Sequence, residues 1–261
     1  MTIPAWYINL DNRPERRAYM QQHLLDLDLT VERFSAIDAN SLSDAEASVW
    51  QDSTHNITKS ELCCFLSHRN IWEKIAEGDE EYGVIFEDDI LLSPGIKEFL
   101  ETTDWIPENT GLIRFETTCL KVKLGAPEAD LFQTRKLHPL HSTHLGAAGY
   151  VLSKNVAMDM LKKSQKVTAP LDIFMFELDF GFEPKQIVPA LCVQQQFYKK
   201  VFLPDAAKES SLAQGRRIRT QRNRPQGIAL VYREIMRVVM QIRRVIRDII
   251  PGFKYVPVDF R

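Results

Sequence analysis

The chain has 261 residues, of which 44% are hydrophobic and 26% charged, and a formal net charge of -2. That size and mixture predict a soluble globular protein of one large domain, or one domain with an appendage. No apolar run approaches the roughly 20 residues needed to cross a bilayer, which excludes a transmembrane helix. The small net charge hides a polarity: residues 216–261 hold 12 Lys+Arg against 3 Asp+Glu, and residues 1–215 hold 21 against 32.

Trp6 to Leu10 reads as a strand, followed by the turn Asp11-Asn12-Arg13-Pro14. Pro14 is suited to a helix start, where its missing N–H does no harm, and the helix runs to about Leu27. Val31 to Ile37 predicts a second strand, and strand, helix, strand in succession predicts a parallel α/β sheet. Ser43 with Glu46, and Thr58 with Glu61, have capping-box spacing; the second pair opens a long helix through Leu62, Phe65, Leu66, Trp72 and Ile75 to Gly78.

That helix leads into the most informative stretch, Tyr82 to Leu92, an apolar strand interrupted by Glu87, Asp88 and Asp89. Like charges on a buried strand repel one another and lose hydration, and a bound cation compensates both effects. Magnesium and manganese take hard oxygen ligands and keep open positions for phosphates, so the triplet predicts a metal-bridged phosphate site. If the strand stays extended, Glu87 and Asp89 share one side and Asp88 takes the other. Asp89 is the first candidate for metal contact and Asp88 the second. The plain alternative is a solvated turn before a helix starting near Pro94.

Gly111 to Phe115, Gly149 to Leu152 and Ile187 to Val193 read as later strands, with a helix from Ser153 to Lys163. Lys121 to His144, with Gly125, Pro127 and Pro139, shows little periodicity and reads as a mobile loop or insertion of the kind that covers substrates. His138, His141 and His144 cluster there, and one of them, His144 by preference, could complete a metal shell. Cys63, Cys64, Cys119 and Cys192 lack metal-site spacing and predict thiols in a reducing compartment. Met1 to Leu10 has no secretory leader pattern, which predicts a cytoplasmic protein.

Several segments, taken in order, carry a resemblance. Tyr7-Ile8-Asn9-Leu10-Asp11 is followed by Arg13-Pro14-Glu15-Arg16-Arg17, then by Arg33-Phe34-Ser35-Ala36-Ile37-Asp38. Glu61-Leu62-Cys63-Cys64-Phe65-Leu66-Ser67-His68 with Trp72, the acid strand, Gly149-Tyr150-Val151-Leu152-Ser153 and Pro170-Leu171-Asp172 complete the set. Together, over about residues 5 to 200, they resemble glycosyltransferase family 25, the lipooligosaccharide biosynthesis glycosyltransferases. Cys63-Cys64 stands where the family pattern has Gly-Cys. The segment beyond Gly215 is not covered.

The resemblance implies a GT-A-like, Rossmann-type mixed sheet flanked by helices. It also implies a nucleotide-sugar donor and manganese or magnesium held against its diphosphate by an Asp-x-Asp type motif. The implied reaction is inverting transfer of a hexose, commonly galactose from UDP-galactose, to a lipid-linked oligosaccharide. Inversion needs a carboxylate base for the acceptor hydroxyl. Asp172 is the candidate, followed by Glu177 and Asp179, among Phe174, Met175, Phe176, Leu178 and Phe180. Asp172 is equally suited to capping a helix.

For the nucleotide, the loop after the first strand offers Asn9, Leu10, Asp11 and Arg13, with Arg16 and Arg17 as further phosphate partners or simple surface charges. Asp38 is placed to meet a ribose hydroxyl or to cap a turn. His68 is placed for donor contact or for a buried supporting role, and Glu87 and Asp88 for contact with the donor. Gly146 and Gly149 allow close backbone approach to the donor, or serve turns.

The stretch after Gly215 begins with Arg216, Arg217, Arg219, Arg222 and Arg224, and a basic amphipathic helix is predicted from about Ile228 to Ile250. Each basic residue near an anionic membrane is worth roughly 1 kcal/mol, so the segment predicts peripheral attachment to the inner face of the inner membrane, beside a lipid-linked acceptor. Packing on the acidic body or contact in an oligomer are its alternatives. Without interleaved aromatics or a recognised motif, nucleic acid is not expected. Two other functions use similar residues: a metal-dependent phosphoesterase or nucleotide hydrolase, and a non-catalytic membrane-docked scaffold.

Overall fold

The first strand, β1 (Ala5–Asn9), is buried at all five positions because strands flank it on both sides and helices cover both faces. In the computed structural model, residues 2–51, 57–141, 146–177, 181–198 and 253–261 are described. Pro14 opens α1 (Pro14–Asp26), which buries Met20 and Leu24. β2 (Glu32–Ser35) is a half-exposed edge strand, paired parallel to β1. Both capping boxes form: Ser43 with Glu46 starts α2 (Asp44–Trp50), and Thr58 with Glu61 starts α3 (Lys59–Glu77). α3 buries Leu62, Phe65, Leu66, Ile71, Trp72 and Ile75. At about 1.5–3 kcal/mol for each fully buried large apolar side chain, this is the main reason the helix docks.

The acid stretch begins in β3 (Tyr82–Glu87) and resumes after a turn at Asp88-Asp89 as β4 (Ile90–Leu92), followed by α4 (Ile96–Glu101). Then come β5 (Leu112–Arg114), β6 (Glu116–Thr117), β7 (Lys121–Leu124), β8 (Ala129–Asp130), β9 (Lys136–Pro139) and β10 (Gly149–Ser153). The chain continues through α5 (Lys154–Lys163), α6 (Leu171–Glu177), β11 (Lys185–Val188), β12 (Cys192–Gln194) and β13 (Lys254–Pro257). An eight-stranded sheet runs β2-β1-β3-β10-β5-β11-β9-β8, a three-stranded sheet β4-β12-β6, and β13 pairs with β7.

β1, β2 and β3 are mutually parallel as predicted, but β10 enters antiparallel to both β3 and β5, so the large sheet is mixed. Strand alternation divides the core. Tyr7, Val84 and Phe86 face Met20, Leu24 and Phe99 on one side, while Trp6, Ile8 and Ile85 join Phe65, Trp72 and Met160 on the other. The result is a mixed α/β fold with a large sheet flanked by helices.

Three chain segments leave the large sheet at one level and continue into the small one: β3 into β4 at Asp88-Asp89, β5 into β6 at Phe115, and β11 into β12 at Pro189 to Leu191. Two single-strand expectations, Tyr82 to Leu92 and Ile187 to Val193, are therefore each two strands in different sheets. The carboxylates turn the chain in the first case. In the second, Pro189 cannot donate to a ladder.

Lys121 to His144 is also corrected, since Lys121–Leu124, Ala129–Asp130 and Lys136–Pro139 are strands. Their periodicity is weak because they are two to four residues long, and their partners are distant in sequence, β13 for β7 and β11 for β9.

The basic stretch was expected to form one appendage from residue 216 to 261, but residues 253–261 belong to the body. Val258 is fully buried with Val122, Leu124, Leu140 and Ala190. Thr117 Oγ1 donates to the Val258 carbonyl at 2.6 Å, and Ala190 N–H to the Asp259 carbonyl at 2.8 Å. The arginine-rich linker and the predicted helix at Ile228 to Ile250 lie outside the described residues. Among the described residues no helix is long and apolar enough to cross a membrane.

Candidate active site

The seam between the two sheets gathers the acids. Asp88 is buried; its Oδ2 accepts from Asn9 Nδ2 at 2.7 Å and its Oδ1 from Arg16 Nη1 at 2.9 Å. Arg16 also reaches Asp89 Oδ2 at 3.5 Å. Gln194 Nε2, from β12, donates to Glu87 Oε2 at 3.1 Å and Asp89 Oδ1 at 3.2 Å. The Asp89 carbonyl accepts from Gln195 N–H at 2.9 Å. Gln194 thus joins Glu87 to Asp89 and Arg16 joins Asp89 to Asp88, and a turn at Asp88-Asp89, not an extended strand, arranges the three acids.

Glu116, from β6, is fully buried beside them. Its Oε2 pairs with Arg114 Nη2 at 2.8 Å and accepts Ala148 N–H at 2.8 Å. Its Oε1 is buried with no hydrogen-bond partner among the described residues.

Burial and mutual repulsion raise the proton affinity of this cluster. Loss of hydration, then the charge of Asp88, lifts Glu87 to about 7 against the pull of Arg16. Loss of hydration, then Glu87, lifts Asp89 to about 7. Glu116 also rises to about 7, chiefly by burial, despite Arg114. Burial disfavours the Arg16 cation, yet Asp89 and Asp88 outweigh it and hold Arg16 above its usual range. The cluster carries more negative charge than its two arginines offset, and all of its donors are hard oxygens. Such a set fits a divalent cation of the magnesium or manganese type.

A small cavity opens beside Glu87, about 50 Å³ in volume, with Glu61, Cys64, Gly146, Ala147, Pro170, Leu171 and Asp172 in its walls. Asp172 is buried in the first turn of α6, where its Oδ1 accepts from Ile173 N–H at 3.0 Å and its Oδ2 from Gly146 N–H at 3.4 Å. It contributes to the charge felt by Glu87. Asp172 is thus the second residue of α6 and not its N-cap, and it lines the cavity. Gly146 has φ +104, and a Cβ there would lie 2.8 Å from Glu116 Oε1, so both backbone and packing favour glycine. Gly149 is a correction: a Cβ on it would meet Cys192 Sγ at 2.2 Å, so its smallness serves strand packing.

His68 is buried behind Glu87, with Nδ1 2.9 Å from Tyr150 Oη and Nε2 3.7 Å from Glu87 Oε1. Cys64, His68 and Glu87 bring ligand atoms within 4.8 Å of one another.

The remaining candidates separate. Asn9 is buried and ties the acid turn to Arg33, whose Nε donates to Asn9 Oδ1 at 2.9 Å. Leu10 is half-buried beside it. Asp11 is exposed and accepts from Arg33 Nη2 at 2.5 Å and Ser35 Oγ at 2.8 Å. Arg13 is loosely paired to Glu15 at 3.9 Å. Asp38 caps its own turn, taking Asn40 N–H at 2.8 Å and Asn12 Nδ2 at 2.6 Å. His138 contacts the Gly125 carbonyl and His141 pairs with Glu183, so their contacts lie away from the acids. His144, Asp179 and the side chain of Glu177 lie outside the described residues.

Glu116, Arg114 and Gln194 were not singled out by sequence. A signal existed for the first two: Arg114 interrupts the otherwise apolar Leu112 to Phe115 segment, and Glu116 follows it directly. Gln194 gives none.

Comparison with known proteins shows the family. Residues 2–175 match the family described as Glycosyltransferase family 25 (LPS biosynthesis protein). The lipooligosaccharide biosynthesis protein lic2B of Haemophilus influenzae is 29% identical over 207 residues, 75% of this chain and 77% of the relative. The lacto-N-neotetraose biosynthesis glycosyltransferase LgtE of Neisseria gonorrhoeae is 29% identical over 232 residues, 81% and 82% of the two chains. LgtB of the same organism, likewise a lacto-N-neotetraose biosynthesis glycosyltransferase, is 29% identical over 170 residues, 60% and 61%. The motif segments, the acid cluster and the extent of the match lead to one assignment: the chain belongs to glycosyltransferase family 25.

Proposed function

We propose that this chain transfers a hexose, galactose by preference, from a UDP-sugar to a lipooligosaccharide or lipopolysaccharide core acceptor, with inversion, on a GT-A-type scaffold. The observation that carries this is the buried carboxylate cluster, with Glu87, Asp89 and Glu116 lifted to about 7, beside a cavity that also holds Asp172. Asp89 and Asp88 would hold manganese or magnesium against the donor diphosphate. When bound, that ion stabilises the negative charge growing on the leaving nucleoside diphosphate. Arg16, now held between Asp88 and Asp89, is a cation within reach of the same charge. The cavity joins acidic walls to apolar ones, Ala147, Pro170 and Leu171, a combination suited to a sugar ring. Asp172 is the base that takes the acceptor hydroxyl proton.

The relatives' names support the acceptor class, since they refer to lipooligosaccharide and lacto-N-neotetraose biosynthesis. The 12 Lys+Arg of residues 216–261 support docking to an anionic membrane at the inner face of the inner membrane, where a lipid-linked acceptor lies.

The test is a transfer assay on chelator-treated protein, with UDP-galactose and UDP-glucose, a lipooligosaccharide acceptor, and manganese added back. Metal-dependent transfer giving a product of inverted anomeric configuration is the expected result. UDP release without any need for acceptor would identify a hydrolase instead, and retained configuration would remove Asp172 from its role. Sedimentation with anionic vesicles, comparing the full chain with one lacking residues 216–252, tests docking separately; equal binding would end that part of the proposal.

A further inference from the structure

His68 is not used by the transfer chemistry above, yet it lies between the α3 core and the acid cluster. Its hydrogen-bond chain has a direction that can be deduced. Trp72 Nε1 lies 2.9 Å from Tyr150 Oη, and an indole N–H can only donate. Tyr150 Oη therefore accepts from Trp72 and has its own proton left to give. The neighbouring acceptor for that proton is His68 Nδ1 at 2.9 Å. If His68 Nδ1 carried the proton instead, the Tyr150 hydroxyl would receive two donors and its hydrogen would be left buried without an acceptor among the described residues. A bare Nε2 lone pair would also face a carboxylate. Both ends of the chain favour the tautomer with hydrogen on Nε2.

Burial supports a ring with a single proton, since loss of hydration depresses the His68 imidazolium to about 3. The pair with Glu87 is then a neutral donor facing an acceptor, not an ion pair. The same direction argues against a soft-metal site at Cys64, His68 and Glu87, because a protonated Nε2 cannot ligate.

We propose that His68 is a positioning residue: Trp72 and Tyr150 fix it as the Nε2–H tautomer, and this buried N–H, without a hydrogen-bond partner among the described residues and 3.7 Å from Glu87 Oε1, draws Glu87 into place as acceptor for a hydroxyl when the sugar binds in the cavity. Glu87 Oε2 is held by Gln194, so the carboxylate is oriented from both sides. The role toward a sugar rests on the transferase function proposed above, whereas the tautomer does not.

The experiment has two arms. Long-range ¹H–¹⁵N NMR on protein labelled at histidine, without donor or acceptor, reads the tautomer directly. The expected result is His68 as Nε2–H at neutral pH, with that preference weakened in Tyr150→Phe. An Nδ1–H or doubly protonated ring in the native protein overturns the proposal, and so does an unchanged tautomer in a folded Tyr150→Phe. In the kinetic arm, His68→Ala is expected to lower kcat/KM about tenfold to hundredfold, the scale of one hydrogen bond to a charged group. His68→Gln, which keeps an N–H near the Nε2 position, restores much of the loss. His68→Ala should add little in a Glu87→Gln background, and additive losses in the double variant would overturn the positioning role. A native protein with the expected tautomer but no transferase activity would overturn the proposed function alone.

Discussion

β1 and β3 are parallel neighbours in the mixed sheet, and the ends of both carry carboxylates beside an arginine, yet their chemistry differs. After β1, Asp11 is exposed, and its hydrogen bonds from Arg33 and Ser35, ahead of the Arg33 charge, hold it below the usual carboxylate range. After β3, Glu87 and Asp89 are desolvated and lifted to about 7. The acids at β1 are matched one to one by a cation in water. At β3 three adjacent acids, joined by Glu116, share Arg16 and Arg114 inside the protein. Burial and the local charge balance, rather than an acid's position at a strand end, mark the site.

The contrast can be broken most forcefully at Glu116. Glu116→Ala takes away the carboxylate 2.8 Å from buried Arg114, and breaking such a buried pair costs about 3–5 kcal/mol; denaturant unfolding measures it. Asp11→Ala should shift the unfolding midpoint far less, and equal effects at the two positions would erase the distinction.

Next in size is Asp89→Ala, expected to reduce sugar transfer about 10²–10³-fold, the scale of losing one group that stabilises transition-state charge. Its melting temperature should hold or rise above pH 7, because one of several repelling charges is gone. A large fall in melting temperature would indicate that Asp89 supports the fold.

The third test uses the opposite signs of the two regions. Carboxyls of about 7 in the folded chain and about 4 in the unfolded one bind more protons when folded between those values. Their contribution to stability therefore falls as pH rises from about 4 to 7 and levels off above. Asp11, held low, contributes in the other direction: its stabilisation is present above its unfolded pKa and is lost as pH falls through its folded value. Melting of chelator-treated protein across this range should show the first trend, with Glu87→Gln reducing the slope. Manganese should raise the melting temperature more at pH 8 than at pH 5, since protons compete with it at the lower pH. A gain independent of pH would separate metal binding from these acids.

The smallest expected effect tests how the seam is held from behind. Thr117→Val removes the hydrogen bond to the Val258 carbonyl next to Glu116 and should cost about 1 kcal/mol by thermal or denaturant melting.

Much of the scaffold was legible locally. Pro14 and the Ser43–Glu46 and Thr58–Glu61 boxes act within a few residues of themselves, and each of these three helices begins where its signal lies. The apolar run into Glu87 marked the central strand and its acids together. What stayed hidden depends on distant pairing. β7 meets β13 more than a hundred residues later, and Lys121 to His144 reads as irregular because no short strand states its partner. Gln194 shows the same limit, because a lone glutamine has no local signature and gains meaning only when β12 brings it to Glu87 and Asp89.

By itself the sequence determined where several helices start, that the first strands belong to one α/β sheet, that the Glu87–Asp89 triplet is the unusual feature, and the family to which the ordered motifs point. These are set by short-range capping, periodicity and composition. Only the tertiary structure decided that three segments leave one sheet for another at a common level, that Glu116 joins the triplet there, and that His68 faces Glu87 with Tyr150 and Trp72 behind it. Those outcomes depend on long-range strand pairing and on the exclusion of water, which converts ordinary acids into a coupled cluster.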